Sequence, residues 1–229
     1  GTNWDNNNRN DWQVIVKGSV PSEFVMDGDF DGANGGNGYT VVPYAMKILA
    51  AVKGDTLYVA TWSTEANDVF LYVTDELGDI KPTPWAKARY VFLDTSIKPY
   101  LAAEADAAKG RTGFLYNVTG AVTNGVRPSH PALEAQFSLT DAFGYVPEAV
   151  YIASVAYGTG DGGEIQSQAP YEWQGGSWDQ STTPWTWIPA DLDVMEFQRV
   201  SINSIRDEND DGYFDAGQPE LYTVTDGTT

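Results

Sequence analysis

The chain contains no cysteine and a single histidine. Without Cys it has no disulfide frame, no thiolate nucleophile and no thiolate zinc site. With one imidazole it cannot build a His-rich metal centre, and His130, bracketed by Pro128 and Pro131, reads as a turn residue rather than a base. Positive charge is scarce: 13 Lys and Arg stand against 32 Asp and Glu, a formal net charge of −19. Nucleic-acid phosphate and anionic membrane surfaces need a basic face, so the charge argues against both as partners. Long apolar runs are also missing. The longest nearly apolar stretch, Ala149 to Tyr157, is far shorter than the ~20 residues of a spanning helix, so no membrane insertion is expected. No Gly-x-Ser-x-Gly elbow or phosphate loop occurs. The Gly-rich run 158–163 is followed by no helical pattern and reads as a turn. Carboxylate pairs arise by number alone among 32 acidic residues, so a glycosidase-like pair carries no signal. The expectation is a protein that is not an enzyme.

Strand signals fill what remains. Trp12, Val14 and Val16 alternate on one face of a first strand. Met46–Val52 and Thr56–Thr61 flank Lys53-Gly54-Asp55 as a hairpin. Asp68–Val73, Arg89–Leu93, Thr112–Tyr116, Leu133–Phe137, Glu148–Val155, Val194–Val200 and Leu221–Val224 add β-branched and aromatic runs suited to a pleated, half-buried surface. One helix is predicted, the Ala-rich Leu101–Lys109 stopped by Gly110. Many short strands with almost no helix predict an all-β, mostly antiparallel β-sandwich of immunoglobulin or jelly-roll type with long loops. The expected organisation is an N-terminal arm and first strand over 1–17, then one sandwich domain over 18–229. Residues 166–188, with Gly175-Gly176 and Pro184, read as a long irregular excursion.

The opening Phe24-Val-Met-Asp-Gly-Asp-Phe-Asp31 resembles the start of DOMON-like, carbohydrate-binding-module-family-9-like sandwiches. Residues 48–60 look like that family's central hairpin, 67–73 like its next strand, and 133–156 like its later half. The resemblance covers about residues 22–200 in chain order. It implies a secreted sandwich, in a family that holds sugar binders, haem binders and domains of no assigned role. It carries no sugar site over residue by residue.

Two acidic stretches have the spacing of oxygen-donor loops. In the run 207–218, Asp207, Asn209, Asp211 and Asp215 fall at positions one, three, five and nine. Gly212 stands where such a loop turns sharply, and Tyr213 offers its carbonyl. Gln218 replaces the bidentate Glu, which predicts weaker binding or recruitment of Glu220. The pattern resembles the calcium loops of bacterial surface-protein repeats. A half-motif, Asp27, Asp29 and Asp31 before Gly32, repeats the spacing. Clustered carboxylates repel unless a cation sits among them, so Ca²⁺ is the expected cofactor, in a structural role. The alternative is a pair of solvated acidic turns.

Two readings of the aromatics Tyr171, Trp173, Trp178, Trp185 and Trp187 stand side by side. They form a platform on which glycans stack, or they pack the excursion onto the sandwich. Asn117-Val118-Thr119 is a sequon and makes Asn117 a candidate glycosylation site. Finally, Gly1–Asp11 is almost wholly polar and cannot bury enough apolar area to order itself. With Trp4 and Trp12 as anchors and Val14 and Val16 in the strand that follows, it reads as a donor strand for a neighbouring copy. The functional expectation is a secreted, cell-surface structural module that self-assembles head to tail into a fibre or surface layer. The runner-up is a carbohydrate-binding module.

Overall fold

The computed structural model describes residues 14–16, 26, 46–63, 67–87, 90–104, 113–123, 132–160, 162–169, 176–179, 186–189, 197–205 and 221–223. Its elements run as β1 (Val14–Val16), β2 (Met46–Lys53), β3 (Thr56–Ser63), β4 (Asp68–Thr74), β5 (Lys81–Pro82), β6 (Tyr90–Val91), β7 (Tyr100–Ala103) and β8 (Gly113–Tyr116). They continue as β9 (Gly120–Val122), β10 (Ala132–Ser138), the short helix α1 (Leu139–Phe143), β11 (Ala149–Tyr157), β12 (Ile165–Ala169), β13 (Gly176–Asp179), β14 (Thr186–Pro189), β15 (Gln198–Ser201) and β16 (Leu221–Thr223). No helix among the described residues is long and apolar enough to cross a membrane.

Two antiparallel layers form the sandwich. One is four-stranded, in the order β2-β3-β10-β9. The other is six-stranded, in the order β12-β11-β4-β7-β8, with β15 beside β11. β12 pairs with the second half of β11, from Ser154 to Tyr157, and β15 with the first half, from Ala149 to Ile152. The predicted hairpin is present, with Ala50 opposite Val59 and Val52 opposite Leu57. Alternation turns Leu57, Val59, Leu133, Ala135 and Phe137 of one layer against Val69, Leu71, Val73, Ile152 and Leu101 of the other. Each Val, Leu, Ile or Phe side chain among them, taken fully out of water, contributes about 1.5–3 kcal/mol.

The six-stranded layer is buried on its second face as well. All seven residues of β4 are buried. Its outward side chains Phe70 and Tyr72 join Tyr100, Ala153, Val155 and Tyr157 in a second core, covered by Val91, Leu93 and Trp85. The cover is a strap, described over residues 81–87 and 90–93, that carries the short β5–β6 pair. Trp85 meets Phe70 edge-on at 4.8 Å, and Tyr100 stacks on Tyr116 at 4.5 Å. Burial raises the Tyr72 hydroxyl pKa well above its ordinary value, and the neighbouring Tyr157 hydroxyl, 3.4 Å away, adds to the effect.

The structure overturns the predicted helix at Leu101–Lys109 over its described part. Leu101 and Ala102 belong to β7 and pair with Leu71 and Phe70. A central strand slot between two hydrophobic layers outweighs a preference of a few tenths of a kcal/mol per Ala. The excursion is also more regular than its composition suggests, containing β12 and the β13–β14 hairpin. The chain passes from the six-stranded to the four-stranded layer between β8 and β9. At the far ends of these two strands from that crossing, Gly113 donates its N–H to the Thr123 carbonyl, and a Cβ on Gly113 would lie 2.6 Å from that oxygen. Only glycine permits the approach.

Candidate functional site

The first strand finds its partner in the last one. Val14, Ile15 and Val16 lie opposite Thr223, Tyr222 and Leu221 in an antiparallel ladder. Among the described residues this terminal ribbon is a two-stranded sheet of its own, with no ladder to either layer of the sandwich. In the single chain, therefore, the strand that carries the expected assembly residues Val14 and Val16 is paired within its own molecule. Trp4 and Trp12 lie outside the described residues.

The aromatic stretch is brought together in part. β13 and β14 pair so that Trp178 and Trp187 are direct cross-strand partners, with Asp179 opposite Thr186. Residues paired this way belong to one face of an antiparallel ribbon. The pairing joins residues far apart in the stretch, whereas the sequence pattern drew attention to Trp185 and Trp187. Tyr171, Trp173 and Trp185 lie outside the described residues.

Asn117 sits exposed in the β8–β9 turn with φ of 62°. Its amide Nδ2 donates to the Thr95 and Lys98 carbonyls, each at 2.8 Å. Both hydrogens of the nitrogen that a glycan would take are thus committed to the loop 94–98. A glycan there would break at least one of these bonds.

Next to that turn, Lys98 forms an ion pair with Asp75, which also accepts from the Tyr145 hydroxyl at 3.0 Å. Burial opposes ionisation of Asp75, but the hydrogen bonds from Lys98 and Tyr145 outweigh it and hold the carboxyl below its ordinary value. Around this pair Leu77, Ile97, Tyr145 and Val146 are exposed.

Both oxygen-donor loops lie outside the described residues: Asp27, Asp29 and Asp31 in one, and Asp207, Asn209, Asp211, Tyr213 and Asp215 in the other. Among the described residues, no three His, Cys, Asp or Glu side chains gather as a metal site. The run 158–163 is the turn between β11 and β12, as its lack of a following helix implied. Sequence reasoning missed Asp75, Lys98 and Tyr145, which belong to three separate loops and form no linear motif. No protein-family model, no curated protein and no solved structure matches the chain.

Proposed function

We propose that this chain is a non-catalytic structural module of a secreted, self-assembling fibre or surface layer, joined head to tail through its N-terminal strand and stabilised by calcium in its acidic loops. The observation that carries the reading is that, among the described residues, the β1–β16 ribbon shares no ladder with either layer. A two-stranded ribbon is marginal by itself. The same ladder forms equally well between β1 of one copy and β16 of the next, with no new contact required. Exchange of an identical element is a low-cost route to assembly, and a head-to-tail operation that does not close builds fibres. The exposed side chains of Leu77, Ile97, Tyr145 and Val146 add apolar contact surface. The charge of −19 keeps free subunits apart until specific contacts and Ca²⁺ offset repulsion.

The absence of native Cys makes the test clean. Ile15 and Tyr222 are register partners. A chain carrying Ile15→Cys is mixed with one carrying Tyr222→Cys in Ca²⁺ buffer and treated with a short bismaleimide. Cross-linked pairs, growing into ladders when each chain carries both substitutions, support exchange. A mixture that gives no cross-links, while the doubly substituted chain closes on itself as a monomer, refutes assembly through the terminal strand.

A second reading, carbohydrate binding, is favoured by the Trp178–Trp187 pairing. The register sets two Trp residues directly opposite each other, and an aromatic pair is the residue type on which the C–H face of a sugar stacks. A glycan array, with Trp178→Ala and Trp187→Ala as controls, tests it. A blank array in Ca²⁺ buffer removes it.

A further inference from the structure

Strap residues Trp85 and Ala86 have φ of 57° and 50°, a left-handed conformation that residues with a Cβ rarely adopt. Such strain persists only where surrounding contacts over-determine it. Thr83 Oγ1 donates to the Lys87 carbonyl at 2.6 Å, and Gly162 N–H donates to the Ala86 carbonyl at 2.7 Å. The strongest tie is the Lys87 side chain, which is 2 % exposed. Its Nζ lies 2.8 Å from Asp68 Oδ2, 2.8 Å from the Gly158 carbonyl and 2.9 Å from the Gly160 carbonyl. Asp68, at the start of β4, is itself only 7 % exposed.

The turn between β11 and β12 is shaped for this. Gly163 N–H donates to the Gly160 carbonyl at 3.0 Å, and a Cβ on Gly163 would lie 2.1 Å from the Gly158 oxygen. Glycine there lets the turn curl until two carbonyls converge on one point. An ammonium has three N–H donors and no acceptor. Three oxygens meet it, one of them a carboxylate oxygen, and both side chains are almost wholly shielded from solvent. One carboxylate with two carbonyls is the donor set of a cation site.

We infer that Asp68 and the Gly158 and Gly160 carbonyls form a cation site whose permanent occupant is the Lys87 ammonium. This occupant pins the strap 81–93 over the aromatic face of β4. When the side chain is cut back, the site takes a free primary alkylammonium ion. It selects three N–H donors, so quaternary ammonium is rejected. It also holds Lys87 in ionic form. Condensation with Asp68 to an amide, with loss of water, would leave the nitrogen one hydrogen for two glycyl carbonyls. The inference is independent of the assembly reading and of the acidic loops.

The test is chemical rescue of Lys87→Ala in the full chain. Thermal unfolding is followed by Trp fluorescence in propylammonium chloride and in tetramethylammonium chloride at equal ionic strength. The variant should melt below the wild type. Propylammonium, the fragment removed, should restore part of the loss in a saturable way, and tetramethylammonium should restore none. Lys87→Met, which keeps most of the side chain's length without its charge, should melt low and respond to neither salt. Equal effects of the two salts, no effect of propylammonium, or rescue of the Met variant overturns the site. Should Lys87→Ala not fold, Asp68→Asn decides through hydrogen exchange. Faster exchange across residues 81–93, with the β2–β3 hairpin unchanged, supports the site, and unchanged exchange in the strap refutes it. The wild-type intact mass should equal that of the sequence, and a mass lower by one water overturns the ionic form.

Discussion

Replacing Asn117 separates two contributions that the β8–β9 turn combines. The residue is exposed, holds φ of 62°, and donates two hydrogen bonds of 2.8 Å to the Thr95 and Lys98 carbonyls. Asn117→Gly removes both bonds but keeps the left-handed backbone free of strain. At roughly 0.5–1.5 kcal/mol per bond, and toward the low end where water can replace the donor, it should cost about 1–2 kcal/mol. Asn117→Ala loses the same bonds and adds the left-handed penalty of an L side chain, roughly 1–2 kcal/mol, for a total of about 2–4 kcal/mol. A chain of this size loses about 2–4 °C of Tm per kcal/mol. The alanine variant should therefore melt several degrees below the glycine variant. Asn117→Asp sets a carboxylate against two carbonyl oxygens and should be no more stable than Asn117→Gly. Urea titration read by Trp fluorescence gives the three differences. An alanine variant as stable as the glycine variant, or either variant as stable as wild type, refutes the assignment of the turn to this amide. The same geometry predicts that Asn117 stays unglycosylated when the chain is secreted from a eukaryotic host. Mass spectrometry showing a glycan there, in a chain of wild-type stability, contradicts it.

Between the layers, Thr61 and Ser154 hydrogen-bond through their hydroxyls, and Ser154 also donates to the Phe70 carbonyl at 3.3 Å. Ser154→Ala should cost about 1–3 kcal/mol by removing the partner found for Thr61 among the described residues. Thr61→Val should cost less, because Ser154 keeps Phe70, and the double variant should be milder than the sum of the two in a denaturation cycle. Asp75 has a folded-state pKa below its ordinary 3.8. The stability it contributes is present above that value and is lost as pH falls through the lower folded value. Asp75→Asn should thus be less stable than wild type at neutral pH, with the gap closing on acidification, and a gap constant with pH refutes the linkage. Adding Ca²⁺ to EDTA-treated protein at about a hundredfold over its dissociation constant should stabilise the chain by about 2.7 kcal/mol per site. Asp211→Ala should abolish most of the shift in Tm, and wild type that does not respond to millimolar Ca²⁺ removes the calcium expectation.

Local signals were enough to place most of the strands. The alternation around Lys53-Gly54-Asp55 located β2 and β3, because burying one apolar face imposes period two on a strand, and the β-branched and aromatic run at 68–73 located β4 although both its faces are covered. They failed where a strand is short or built of residues that favour helix. Leu101 and the Ala residues after it carry no alternation, since β7 packs against hydrophobic neighbours on each side, and helix propensity then dominates a local reading. The helix α1 was legible in principle, with Ser138 capping the Asp141 N–H and Gly144 closing it at φ of 83°, but five residues give too little periodicity to stand out.

The sequence by itself determined the all-β class, the excess of acidic over basic residues, the absence of cysteine, and the position of the main hairpin. These depend on composition and on contacts between near neighbours. Only the tertiary structure decided that Val14–Val16 pairs with Leu221–Thr223, that Trp178 faces Trp187 across a ladder, and that Asn117 is tied to a loop some twenty residues away in sequence. Lys87 is the clearest case. It is one of 13 basic residues with nothing around it to mark it. Two of its three acceptors are backbone carbonyls more than 70 residues further along the chain. Every residue type has such a carbonyl, so no side-chain pattern can announce it. Its role is set by where the packed sheets bring the glycine turn and by the loss of water around the charge, both of which exist only once the chain has folded.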